Sequence, residues 1–211
     1  MSRKKLIITA VILTLILIIG GILAYFTDVE TKVNKFTMGN VSILVEEPSW
    51  EGGDEGVKDI VPNQEIPKDP QITNTGSTDI YAFIKVVVPY ENVVVGEATA
   101  AADTELFKYT VNSGWTEVGK SKKDEQAKTI THIYAYVNDT NELKALAKTE
   151  KTPAVFNTVK LVDVKETGSE NSTIQNSQLQ VVVSGYGIQT TDLGTDSKAP
   201  AVIWPLVESA N

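Results

Sequence analysis

Residues 80–88 read IYAFIKVVV. Ile80, Ala82, Ile84, Val86 and Val88 fall on one parity, and Tyr81, Phe83 and Val87 on the other, with Lys85 as the single charge. Side chains of an extended chain alternate between two faces. Apolar residues on both parities therefore predict a strand covered on both sides. Pro89 follows and, having no N–H to give a ladder, is expected to end it.

Outward from this run the chain reads as short strands and turns. Upstream, Gln71–Asn74 is an expected strand, and Asn74-Thr75-Gly76-Ser77-Thr78-Asp79 a turn into the central run. Further upstream, 35–46 alternates with a change of phase: Phe36 and Met38 share one parity, Val41, Ile43 and Val45 the other, with Gly39-Asn40 between them as a bulge or turn. The segment 46–59 is an acidic, glycine-containing loop around Trp50. Downstream, 106–111 and 115–118 are expected to pair as a hairpin across Asn112-Ser113-Gly114. Residues 119–128 are charged and solvated, and 129–137 is a β-branched and aromatic strand. Leu143, Ala145, Leu146 and Ala147 suggest one short helix over 141–149. Strands at 158–164 and 178–188 follow, separated by a Gly/Ser/Asn-rich loop at 168–176. Many short strands with close turns predict an all-β sandwich or barrel.

The chain opens with Arg3, Lys4 and Lys5, an apolar run from Leu6 to Ile19, and then Gly20-Gly21-Ile22-Leu23-Ala24. A positive start, an apolar middle and a small residue at the end make an export signal peptide over 1–24. The alternative is an uncut signal anchor, since 6–24 is close to the length that spans a bilayer. Either way the basic start stays inside and the rest is expected outside the cytoplasm. The only expected membrane attachment is this segment, because the other end carries no hydrophobic tail. Removal of 1–24 leaves 187 of the 211 residues and takes the formal charge from −8 to −11. So acidic a chain is a poor partner for nucleic acid, whose phosphates call for clustered Lys and Arg. There is no cysteine, so an exported domain must rely on its core and sheets.

The sequence offers little catalytic chemistry. His132 is the single histidine, too few for a histidine-rich zinc site, and reads as a packed or rim residue. No Gly-x-Ser-x-Gly turn, P-loop or complete dinucleotide fingerprint occurs, and Gly185-Tyr186-Gly187 is a weak signal. Glu46, Glu47, Glu51, Asp54, Glu55 and Asp59 could offer oxygen ligands to a hard cation, but their spacing is not that of an EF-hand, and a solvated loop is the plainer reading. No cofactor is expected.

The junction Gly20-Gly21-Ile22-Leu23-Ala24-Tyr25-Phe26-Thr27-Asp28 resembles the leaders of Bacillota proteins processed by a SipW-type signal peptidase. Asn34-Lys35-Phe36-Thr37-Met38-Gly39-Asn40-Val41 resembles a following segment, N-x-F-x-x-G-x-[VL], of the TasA/camelysin family. Pro62 with Lys68-Asp69-Pro70-Gln71-Ile72-Thr73-Asn74-Thr75-Gly76-Ser77-Thr78-Asp79-Ile80-Tyr81 resembles the family's P-G…K-D-x-x-V-x-N-x-G-S-x-x-x-Y block, with Gln64 near where Gly is common. Gly185-Tyr186-Gly187-Ile188-Gln189 and Trp204 resemble its C-terminal strand.

For TasA the resemblance implies a jelly-roll-like β-sandwich, cleavage between Ala24 and Tyr25, and assembly into extracellular biofilm fibres by N-terminal strand exchange. The chain then divides into leader 1–24, arm 25–38 and sandwich 39–211. Phe26, Val29, Val33 and Phe36 are the candidate anchors of the donor arm. Expected partners are further copies of the chain and the peptidase, and a matrix accessory protein is left open. The expected location is the matrix or surface of a Gram-positive cell. For camelysin the resemblance implies a cell-surface metallopeptidase. One His and no Cys would leave mostly carboxylate ligands, which suit calcium or magnesium better than hydrolytic zinc. A non-enzymatic protein is therefore expected, with a monomeric signal-anchored adhesin as a further alternative.

Overall fold

The computed structural model describes residues 40–53, 56–57, 60–165 and 179–210. Ala24, Tyr25, Phe26, Val29, Val33 and Phe36, the leader and the loop at 168–176 lie outside the described residues. Among the described residues the elements follow in the order β1 (Ile43–Glu46), β2 (Glu65–Pro67), β3 (Gln71–Asn74), β4 (Ile80–Val93), β5 (Ala102–Glu105), β6 (Phe107–Lys108), β7 (Trp115–Glu117), β8 (Lys122–Asp124), β9 (Thr129–Tyr136), β10 (Ala145–Leu146), β11 (Thr158–Leu161), β12 (Val182–Gln189) and α1 (Pro200–Ser209). Among the described residues the fold is mostly β, with one short helix and curled antiparallel sheets, as a β-sandwich requires.

The central run is the axis of this arrangement. β4 pairs along one edge with β12 and then β5, and along the other with β10 and β9. β9 in turn carries β7 and β8. Two smaller sheets, β1-β3 and β2-β11-β6, complete the fold. The two parities of β4 enter different cores. Ile80, Ala82, Ile84, Val86 and Val88 join Ile66, Ile72, Leu106, Phe156 and Val159 in the larger one. Tyr81 and Phe83 join Ala135, Val137, Leu143, Ile203 and Val207 in a second core beneath α1.

Four local expectations need correction. β4 does not stop at Pro89 but runs to Val93. The Pro89 carbonyl accepts from the Leu106 N–H at 2.9 Å, so its nitrogen faces the same edge. There β12 has ended opposite Val87 and β5 begins opposite Tyr90, so no partner needs the missing donor.

The expected hairpin over 112–114 is a crossover instead. β6 pairs with β11 and β7 with β9, in different sheets. Asn112 is held by the 154–157 segment, its N–H donating to the Val155 carbonyl at 2.9 Å and its Nδ2 to that of Ala154 at 3.0 Å. Gly114 still supplies the turn, with φ of 87°.

The expected helix at 141–149 is a turn followed by β10. Leu143 belongs to the core beneath α1 and Leu146 to the larger core, so the two point opposite ways, whereas one helical stripe would put them together. The helix lies at Pro200–Ser209 instead, where Pro200 opens the first turn and Ile203 and Val207 form the buried stripe. Trp204 therefore sits on this helix and not on a strand, with its ring 5.4 Å from those of both Phe83 and Tyr186.

Candidate functional site

The root of the arm is the first described part of the chain. The turn after β3 grips it. Ser77 N–H donates to the Asn40 carbonyl at 2.9 Å and its Oγ accepts from Asn40 N–H at 2.9 Å. Thr75 and Gly76 N–H both donate to the Ser42 carbonyl, at 2.9 and 3.0 Å. Asn74 organises this turn from a fully buried position. Its Nδ2 donates to the carbonyls of Thr78 and Leu146, both at 2.9 Å, and its Oδ1 accepts from Gly76 N–H at 2.9 Å. At Gly76 a Cβ would fall 2.8 Å from Ser42 N and collide with the Asn40 carbonyl, so only glycine lets the root lie this close. The block of sequence that resembles the family is thus the clasp on the arm's root.

The Lys68-Asp69 pair anchors the loop before β2. Both residues are buried. Lys68 Nζ meets Glu47 at 2.8 Å and stands 4.9 Å from the Trp50 ring centre. Asp69 accepts from Ser49 N–H at 2.8 Å and Ser49 Oγ at 2.9 Å. Glu46 bonds to Lys151 at 3.0 Å and to Thr73, contacts that hold its carboxyl below the ordinary value. Two members of the acidic loop are therefore committed to lysines, while Asp54, Glu55 and Asp59 lie outside the described residues.

β12 is the seat over which β1 packs. Gly185 and Gly187, two apart, share the inward face. A Cβ on Gly185 would collide with Val45 and lie 3.3 Å from Ile43 and Ile72. One on Gly187 would lie 2.9 Å from Ile43 and 3.6 Å from Val41. The two glycines remove side chains where β1 and the root must lie. Gly185-Tyr186-Gly187, a weak nucleotide signal in the sequence, is a packing groove. Among the described residues β12 pairs with β4 alone, and no residue of Val182–Gln189 is charged. The strand beyond β9, β8, is by contrast fully exposed and reads Lys-Lys-Asp.

An open cleft of about 510 Å³ lies elsewhere, between the main sheet and the crossing chain, lined by residues that include Asp103, Glu105, Tyr109, Glu117, His132 and Tyr134. His132, on β9 opposite Val86, meets Glu117 through Nδ1 at 2.8 Å and Glu105 through Nε2 at 3.1 Å. The Glu105 contact foremost raises the imidazole's pKa. Tyr109 and Tyr134 bond through their hydroxyls at 3.0 Å. Burial pushes the Tyr134 hydroxyl up to about 12, and burial with the bond to Tyr134 raises that of Tyr109 further. Sequence reasoning read His132 as a packed or rim residue without its partners, since Glu105 and Glu117 lie 27 and 15 residues away in sequence.

The peptidase expectation calls for a metal, and the donors described do not fit one. Among the described residues no three of His, Asp and Glu gather to hold an ion. The one histidine has its carboxylates at opposite ring nitrogens, so the three cannot converge on a single centre as a hydrolytic zinc requires.

No curated protein and no solved structure matches the chain. The model of the camelysin metallo-endopeptidase family matches residues 3–106, from the leader through β5. Over that span, which includes the clasped root, the Lys68-Asp69 block and the central strand, this chain is similar to the camelysin family.

Proposed function

We propose that this chain is an exported matrix subunit, cut between Ala24 and Tyr25 by a SipW-type signal peptidase and assembled outside the cell by strand exchange between copies. The observation that carries the reading is the contrast between sheet edges. β12 is uncharged and pairs on one side only among the described residues, while β8 is blunted by charge. An unpaired edge is a template for another strand, and lysines on an edge discourage pairing. Asn40, Val41 and Ser42 are fixed beside β12 by the Asn74–Thr78 turn. A strand added to such an edge gains main-chain hydrogen bonds, with alternate side chains giving register. Phe26, Val29, Val33 and Phe36 are the anchors assigned to it. Cleavage frees the arm and so acts as the assembly switch.

Deleting residues 25–34 from the mature protein is expected to abolish filaments in negative-stain micrographs while leaving a folded monomer. Filaments that persist without these residues overturn the donor role.

The family's description supports one other reading, a metallo-endopeptidase. Casein cleavage that survives rigorous purification and is abolished by a chelator would establish it; inert purified protein would reject it.

A further inference from the structure

Two carboxylates on one imidazole set a chemical condition. A neutral imidazole carries one N–H and one lone pair, so it can donate to only one carboxylate and opposes the other with a lone pair. Contacts of 2.8 Å at Nδ1 and 3.1 Å at Nε2 are both favourable only when both nitrogens carry protons.

The partners come from the two ends of one excursion. The chain leaves the main sheet after Glu105, lends β6 to the three-stranded sheet, crosses at Asn112 and returns at β7, which ends in Glu117. His132 lies beneath, on the central strand pair β4-β9. The other polar groups around it are Tyr134, stacked alongside it on β9, and Tyr109 of the excursion, edge-on at 6.3 Å. Lys108 and Asp103 line the same cleft, and Asp103 is paired with Lys123 of β8.

We propose that Glu105, His132 and Glu117 form a proton-dependent clip that fastens both ends of the 105–117 excursion to the main sheet and so controls the width of the cleft. With both ring nitrogens protonated the clip is closed. Loss of one proton to solvent turns one contact repulsive and loosens the excursion beside that end, while Glu105 and Glu117 themselves stay in the backbone ladders of β5 and β7. The rest of the fold is held by its two cores, so the change is local. The raised imidazole pKa agrees with this, since the closed form favours the proton.

His132 is the chain's only histidine, so its ring protons give an unobstructed NMR titration. The test is that titration on the full chain, together with amide exchange at 106–112 corrected for intrinsic pH dependence. The expected result is a midpoint above the ordinary 6.5, with exchange protection at 106–112 falling severalfold over the same pH range. His132→Gln, which cannot gain the second proton, should show low protection there at every pH. A midpoint at or below 6.5, protection that stays flat through the titration, or the same pH-dependent fall in His132→Gln overturns the proposal. Should His132→Gln fail to fold, the wild-type titration and exchange decide alone.

Discussion

Asn74 spends both its side-chain donors and its carbonyl on backbone groups, in a position with no solvent to replace them. Asn74→Ala takes the amide donors from the Thr78 and Leu146 carbonyls and leaves the Gly76 N–H with the Ser42 carbonyl alone, and a loss of about 3 kcal/mol in a urea titration is expected. Gly185 gives the opposite kind of test. Gly185→Val drives methyls into Val45 and Ile43, and overpacking of this kind costs about 2 kcal/mol. These residues also mark what could be read from the sequence. Asn74-Thr75-Gly76 announces a turn through residue type alone. Gly185 and Gly187 carry no such message, because their reason is the approach of β1, about 140 residues earlier in the chain. His132 was legible as a packed or rim residue but its two carboxylate partners were not, since neither glutamate shares its strand.

At the scale of elements, the central strand was legible because both of its parities are apolar, and the structure gives each parity its own core. The helix was not. Pro205 within 200–209 argues against a helix in that stretch, yet Ile203 and Val207 bury beneath it and Trp204 stacks on Phe83 and Tyr186. Tertiary packing outweighs the lost backbone bond. Ile203→Ala should cost about 3 kcal/mol and expose the aromatic cluster, seen as a red shift of tryptophan emission. The clip also makes a prediction in pH. The folded-state pKa of His132 is raised, so its stabilisation is complete below the unfolded value of about 6.5 and is lost as pH rises through the folded value. The urea midpoint of the wild type is expected to fall over that rise, and that of His132→Gln to stay level there.

For the whole molecule, a cysteine-free sandwich holds itself by its two cores and, among the described residues, leaves the uncharged edge of β12 beside the clasped root of its N-terminal arm. The fold class was legible from alternation and turn spacing, whereas the sheet in which each short strand lies was not, because two-residue strands such as β6 and β10 take their partners from distant chain. If the β12 edge receives the arm of another copy, a charge placed there should block assembly without unfolding. Val182 is nearly half exposed, so Val182→Lys is expected to keep the wild-type urea midpoint and yield no filaments. The most direct test of the central claim is the intact mass and N-terminal sequence of the protein recovered from outside its producing cells, with negative-stain microscopy of the same sample. The account predicts a chain beginning at Tyr25 and found in filaments; a full-length, cell-bound monomer would contradict it.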